Sequence, residues 1–151
     1  VDMYKTILVP LDGSKRAEAI LSHVEELAHR YDARVIFLQV IEPMSVVVGL
    51  EGAHMMMYQQ ELELRAEQAE SYLQGLQGEF REKGIEARSD VASGPVVEAI
   101  IDAAEREDAD LIAIASHGRS GLSQVFYGSV AAGVLHRVER PLLVIRSQDT
   151  E

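Results

Sequence analysis

The chain is predicted to fold as a doubly wound, Rossmann-like α/β domain: a five-stranded, mainly parallel sheet with helices on both faces. Three observations predict this. Short apolar runs recur along the 151 residues. Segments whose apolar residues repeat at helical spacing lie between them. Alternating strands and helices require crossover connections, which make a parallel sheet covered on both sides.

KTILVP (5–10) is the first buried strand, and DGS then supplies turn and N-cap residues. A helical pattern follows at Ala17, Ile20, Leu21, Val24, Leu27, Ala28 and Tyr31. ARVIFLQVI (33–41) is the second strand, rich in branched residues. Residues 42–57, EPMSVVVGLEGAHMMM, show no clear period and are expected to form a long loop. A long polar helix is expected next, with apolar positions at Tyr58, Leu62, Ala66, Ala69, Leu73, Leu76 and Phe80. KGIEARSDVASG spells a helix exit, a short strand and a turn. Pro95 stands where a first helical turn accepts proline, ahead of Val97, Ile100, Ile101 and Ala104. DADLIAIA (108–115) is the fourth strand, GSVAAGVLHRV (128–138) a short helix and RPLLVIR (140–146) the last strand. No internal repeat, low-complexity tract or linker interrupts them, so one domain over 1–151 is expected.

Composition narrows the function classes. Apolar residues make up 47% and charged residues 26%, ordinary values for a globular protein. No apolar run is long enough to span a bilayer, and the first residues lack a secretory pattern, so a cytoplasmic protein without direct membrane insertion is expected. The absence of cysteine excludes disulfides, thiolate metal sites and cysteine catalysis. A net charge of -11 opposes general affinity for nucleic acid. Three lysines stand against eleven arginines; this is a weak hint of salt adaptation, and a GC-rich genome would give the same bias.

The segment ASHGRSGLSQVFYGSV (115–130) carries the candidate site. In an open parallel sheet, ligands bind beyond the carboxyl ends of the strands, where strand order reverses. Pro10–Asp12, Gln39–Ile41 and Ala115–Gly118 all stand at such ends and converge if the first and fourth strands are neighbours. Gly118 permits close backbone approach. Gly128 and Ser129 open a helix whose free N–H groups and dipole favour an anion. The plain alternative is a turn glycine and a serine that caps its helix. Neither a P-loop nor a GxGxxG after a strand is present.

KTILVPLDGS, ARVIFLQVIEP, ASGPVVEAI, ADLIAIASHGRSGL and GSVAAGVLHRVERPLLVIR together resemble the universal stress protein family, across nearly the whole chain. The ATP-binding branch of that family carries G-x2-G-x9-G-[ST]. This chain has Ala115-x2-Gly118-x9-Gly128-Ser129, with the spacing intact and the first glycine replaced. Alanine serves at that position if its φ is negative and is strained if its φ is positive. The resemblance implies that Val40 meets adenine through its main chain, Pro10 lines that pocket and Asp12 contacts adenine or ribose. It implies that Ala115 offers backbone near the ribose. Gly118, Gly128, Ser129 and Val130 would surround the phosphates, with His117 close by.

The expected function is therefore an adenine-nucleotide-binding stress or regulatory protein, taking ATP, ADP or AMP, with Mg²⁺ as a plausible bridge between phosphates. The resemblance also implies a homodimer through the last strand, or a higher oligomer. No residue is assigned as a catalytic base, so at most slow hydrolysis is expected. Two other readings stand beside it. A dimeric interaction module of the same fold that binds no nucleotide is favoured by Ala115. A nucleotide-processing enzyme on a similar sheet is opposed by the absence of SGGxDS, HIGH and KMSKS motifs. Singly, Asp12 equally suits a turn, His117 a loop, and Arg119 a solvated position. His54-Met55-Met56-Met57 suits an apolar flap better than a soft-metal site. Glu61, Glu63, Glu67 and Glu70 suit the wet face of a helix.

Overall fold

The computed structural model describes residues 3–43, 51–116 and 129–147. Five strands form one sheet: β1 (Thr6–Leu11), β2 (Arg34–Ile41), β3 (Ala87–Ser93), β4 (Leu111–Ala115) and β5 (Leu142–Ile145). Their spatial order is β3-β2-β1-β4-β5 and every pair is parallel. The expected doubly wound α/β fold is present, and its sheet is parallel throughout.

A 3₁₀ turn (Ala17–Ile20) leads into α1 (Leu21–Tyr31), and α2 is Ala53–Glu82, α3 Val96–Arg106 and α4 Ser129–Arg137. Alternation within the strands sends side chains to two cores. Ile7, Val9, Val35 and Phe37 meet Val24 and Ala28 of α1 and Leu73 and Phe80 of α2. Leu8, Ile36 and Ile112 meet Ile100, Ala103 and Ala104 of α3 and Val134 of α4. Strands apolar on both faces are what a parallel sheet between two helical layers requires.

The seam between β1 and β4 is stitched at one end by Asp110. Its Oδ2 accepts the backbone N–H groups of Lys5 (2.8 Å) and Thr6 (2.9 Å). Register across the seam covers Ile7↔Leu111 and Leu8↔Ile112. The remaining residues of β1 and β4 have no register partner across it, so the seam opens toward the carboxyl ends. Strand order reverses at this seam, which makes it the switch point of the sheet.

One expectation needs correction. The long loop of 42–57 is shorter, because α2 starts at Ala53 and takes in His54, Met55, Met56 and Met57. Gly52, with φ of 56°, turns the chain into the helix without any side-chain cap. Thirty residues of α helix extend about 45 Å, far beyond the eight residues of β2. The buried positions of α2 begin only at Ala69, so its first half overhangs the carboxyl edge of the sheet. Burial there is too slight to impose a clear apolar period on the sequence.

Candidate functional site

Where the β1–β4 seam opens, a cleft of about 280 Å³ lies beyond the strand ends. Pro10 and Asp12 enter it from β1, Leu38 and Val40 from β2, and Ile114, Ala115 and Ser116 from the end of β4. Val96 and Ile100 of α3 and Ser129, Val130 and Ala131 of α4 close the opposite side. Aliphatic groups thus form most of the wall, with polar groups at the strand ends and at the start of α4. Such a surface accepts a flat apolar ring at one end and an anion at the helix N-terminus.

Local chemistry holds the polar groups. Asp12 Oδ1 accepts the N–H of Ser14 at 2.9 Å, and Ser14 Oγ accepts the N–H of Ala17 at 3.1 Å. The aspartate is therefore a turn residue and a cleft residue together. Register between β1 and β2 ends at Leu11↔Gln39, whereas β2 continues beside β3 through Val40↔Ala92. Val40 thus has no register partner on its β1 side, where the cleft lies. Ala115 lies in β4, and the non-glycine residues with positive φ among those described are Asp32 and Asp108. The position demands no left-handed backbone, and alanine occupies it without strain.

Of the nine residues singled out from the sequence, Pro10, Asp12, Val40, Ala115, Ser129 and Val130 line this one cleft. His117, Gly118 and Gly128 lie outside the described residues, as does Arg119. Sequence reasoning places Ser116 at a strand end but assigns it no role. That residue is 3% exposed, and its Oγ is buried without a hydrogen-bond partner among the described residues. A buried hydroxyl left unpaired is costly, so its place in a ligand cleft marks it as a contact to be completed. Its type was visible in SHG, but its burial depends on the strand register. Leu38, Ile100 and Ile114 were legible only as core, and Val96 was not singled out.

A parallel sheet with this strand order and a cleft at its switch point is the architecture of nucleotide-binding α/β proteins. The chain belongs to the universal stress protein family, whose model matches residues 3–146. Universal stress protein MJ0577 of Methanocaldococcus jannaschii is 30% identical over 159 residues, covering 98% of each chain. A solved structure of MJ0577 superposes with a TM-score of 0.86 at 28% identity, covering 98% of this chain and 99% of that one. The universal stress protein of Archaeoglobus fulgidus in complex with dAMP shares the fold at 21% identity and a TM-score of 0.61, covering 95% of this chain and 99% of that one. A universal stress protein in complex with cAMP shares it at 20% identity and a TM-score of 0.63, covering 96% and 98%.

Proposed function

We propose that this chain is a cytoplasmic regulatory protein of the ATP-binding branch, holding an adenine nucleotide in the switch-point cleft and acting as a homodimer. The observation that carries the reading is the convergence of six of the nine singled-out residues on one aliphatic cleft beside the N-terminus of α4. The dAMP and cAMP complexes of family members support the same ligand class. Adenine stacks between aliphatic walls, with its edge on the main chain of Val40. Asp12 and Ser116 face the ribose end. Gly118, Gly128, Ser129 and Val130 would surround the phosphates with N–H groups, with His117 beside them, as the resemblance implies. Mg²⁺ bound with the nucleotide would offset the charge of its phosphates.

The test is to identify any nucleotide released on denaturing the purified protein, and then to titrate ATP, ADP and AMP by calorimetry. Binding of at least one, lost in Gly128→Val, is the expected result, because a β-branched side chain would keep backbone from approaching phosphate. No affinity for any of them overturns the reading. The interaction module that binds no nucleotide, which Ala115 favours, would then replace it.

A further inference from the structure

Behind the nucleotide cleft, on the α2 side of the sheet, lies a second cavity of about 310 Å³. Asp12 and Val40 border both spaces. The second cavity is otherwise different in chemistry. Gly13 and Gln39 stand on its sheet side, and Arg65, Gln68 and Tyr72 project from successive turns of α2.

Three polar groups there lack a partner among the described residues. Gln39 Oε1 is buried and accepts no hydrogen bond from the described residues. A carboxamide in the middle of the apolar run RVIFLQVI is unexpected unless something pairs with it. Asp12 uses Oδ1 for the Ser14 N–H, and its second oxygen has no partner among the described residues. The Arg65 guanidinium, exposed at the cavity, has no carboxylate or hydrogen-bond partner among the described residues, in a chain of net charge -11. Tyr72 is already committed, since its hydroxyl donates to Glu18 Oε2 at 2.6 Å. The wall thus presents acceptors near the strand ends and one cation on the helix.

We propose that this second cavity is a binding site for a small zwitterion, an α-amino acid, separate from the nucleotide cleft. The ammonium group donates to Gln39 Oε1 and to the free oxygen of Asp12. The carboxylate pairs with Arg65, whose planar fork suits it. The ligand satisfies a buried acceptor that the chain leaves unsatisfied, and its two charges oppose those of Asp12 and Arg65. A nucleotide on the other side of Asp12 and an amino acid here would share one carboxylate.

Saturation-transfer NMR on the full chain, stripped of nucleotide, tests this with a mixture of the proteinogenic L-α-amino acids, each at millimolar concentration. Because no nucleotide is present, the outcome is independent of the nucleotide reading. At least one amino acid should receive saturation, and Arg65→Met and Gln39→Leu should each weaken it by about tenfold or more. A second mixture, of L-lactate and L-malate, should bind more weakly for want of an ammonium. No signal from any amino acid overturns the proposal, as does equal binding by the hydroxy acids or indifference to Arg65→Met. Gln39→Leu without ligand should melt no lower than the parent, since it removes an unpaired polar group. A clearly lower Tm would show the amide to be satisfied within the chain and would also overturn the site.

Discussion

At the scale of single residues, Ala115 decides how much the altered motif matters. It sits in extended strand backbone and is nearly buried, so glycine there would add freedom but no accessible conformation that binding requires. Ala115→Gly should therefore change ATP affinity by less than about tenfold, or 1.4 kcal/mol. A much larger gain on titration would show that the alanine disables the cleft. Tyr72 yields a pH prediction. Burial first, then its hydrogen bond to Glu18 and the nearby charges of Glu18, Asp12 and Glu79, raise its pKa well above the ordinary 10.0. The unfolded chain ionises this phenol first, so its contribution is complete below about pH 10 and is lost as pH rises above it. Urea midpoints across that range should fall more steeply for the parent than for Tyr72→Phe. Parallel alkaline slopes would contradict the assignment. Asp12, Val40 and Ala115 were legible because strand ends and motif spacing are written in the sequence. Ser116 and Gln39 were not, because only the assembled sheet shows that their polar atoms are buried and unpaired.

At the scale of elements, the strands were legible because apolar runs in this chain coincide with burial on two faces. The start of α2 was not, since its overhanging first turns bury too little to show a period. The exposed Met56 and Met57 belong to that overhang and not to a loop. The Glu61, Glu63, Glu67 and Glu70 face is exposed, as its helical spacing suggested. The contact between α3 and α4, which closes the switch-point cleft, depends on a glycine that sequence reasoning did not single out. A Cβ on Gly133 would lie 2.7 Å from Val97 Cγ2. Valine is stiff about χ1, so the overlap cannot be relieved by a small rotation. Helix propensity favours Gly133→Ala by about 1 kcal/mol, whereas overpacking of this kind costs about 1–3 kcal/mol. In the parent, the substitution should therefore be destabilising or neutral. In a Val97→Ala background, the overlap disappears and the same substitution should stabilise. A double-mutant cycle by urea denaturation measures the difference, and additive effects would show that α3 and α4 separate freely.

At the scale of the whole molecule, the doubly wound α/β class was legible from alternation alone, but the order of the strands was not. Connection lengths permit several orders, and the pairing of β1 with β4 emerges only from which apolar faces meet. That pairing leaves β5 at one edge, and its hydrogen bonds show which groups are available to a second chain. Pro141 O and Ile145 O accept from Ile112 N–H and Ser116 N–H of the β4 side. Because parallel ladders engage alternate residues, Leu143 also faces β4, while the N–H and C=O groups of Leu142 and Val144 face the open edge. Both faces of the strand are apolar, since Leu143 and Ile145 pack on the α1–α2 core and Leu142 on the other. An apolar edge with unpaired groups invites strand pairing. A two-fold axis would let β5 pair with its own copy and close the assembly. Proline is tolerated on an edge strand when its missing donor faces outward. Val144→Pro should therefore leave the monomer folded, with its circular dichroism retained, while removing a donor that only the second copy uses. Light scattering at micromolar concentration should report a dimer for the parent and a monomer for the variant. A monomeric parent removes the dimer from the proposed function, and a variant that stays dimeric moves the interface away from β5.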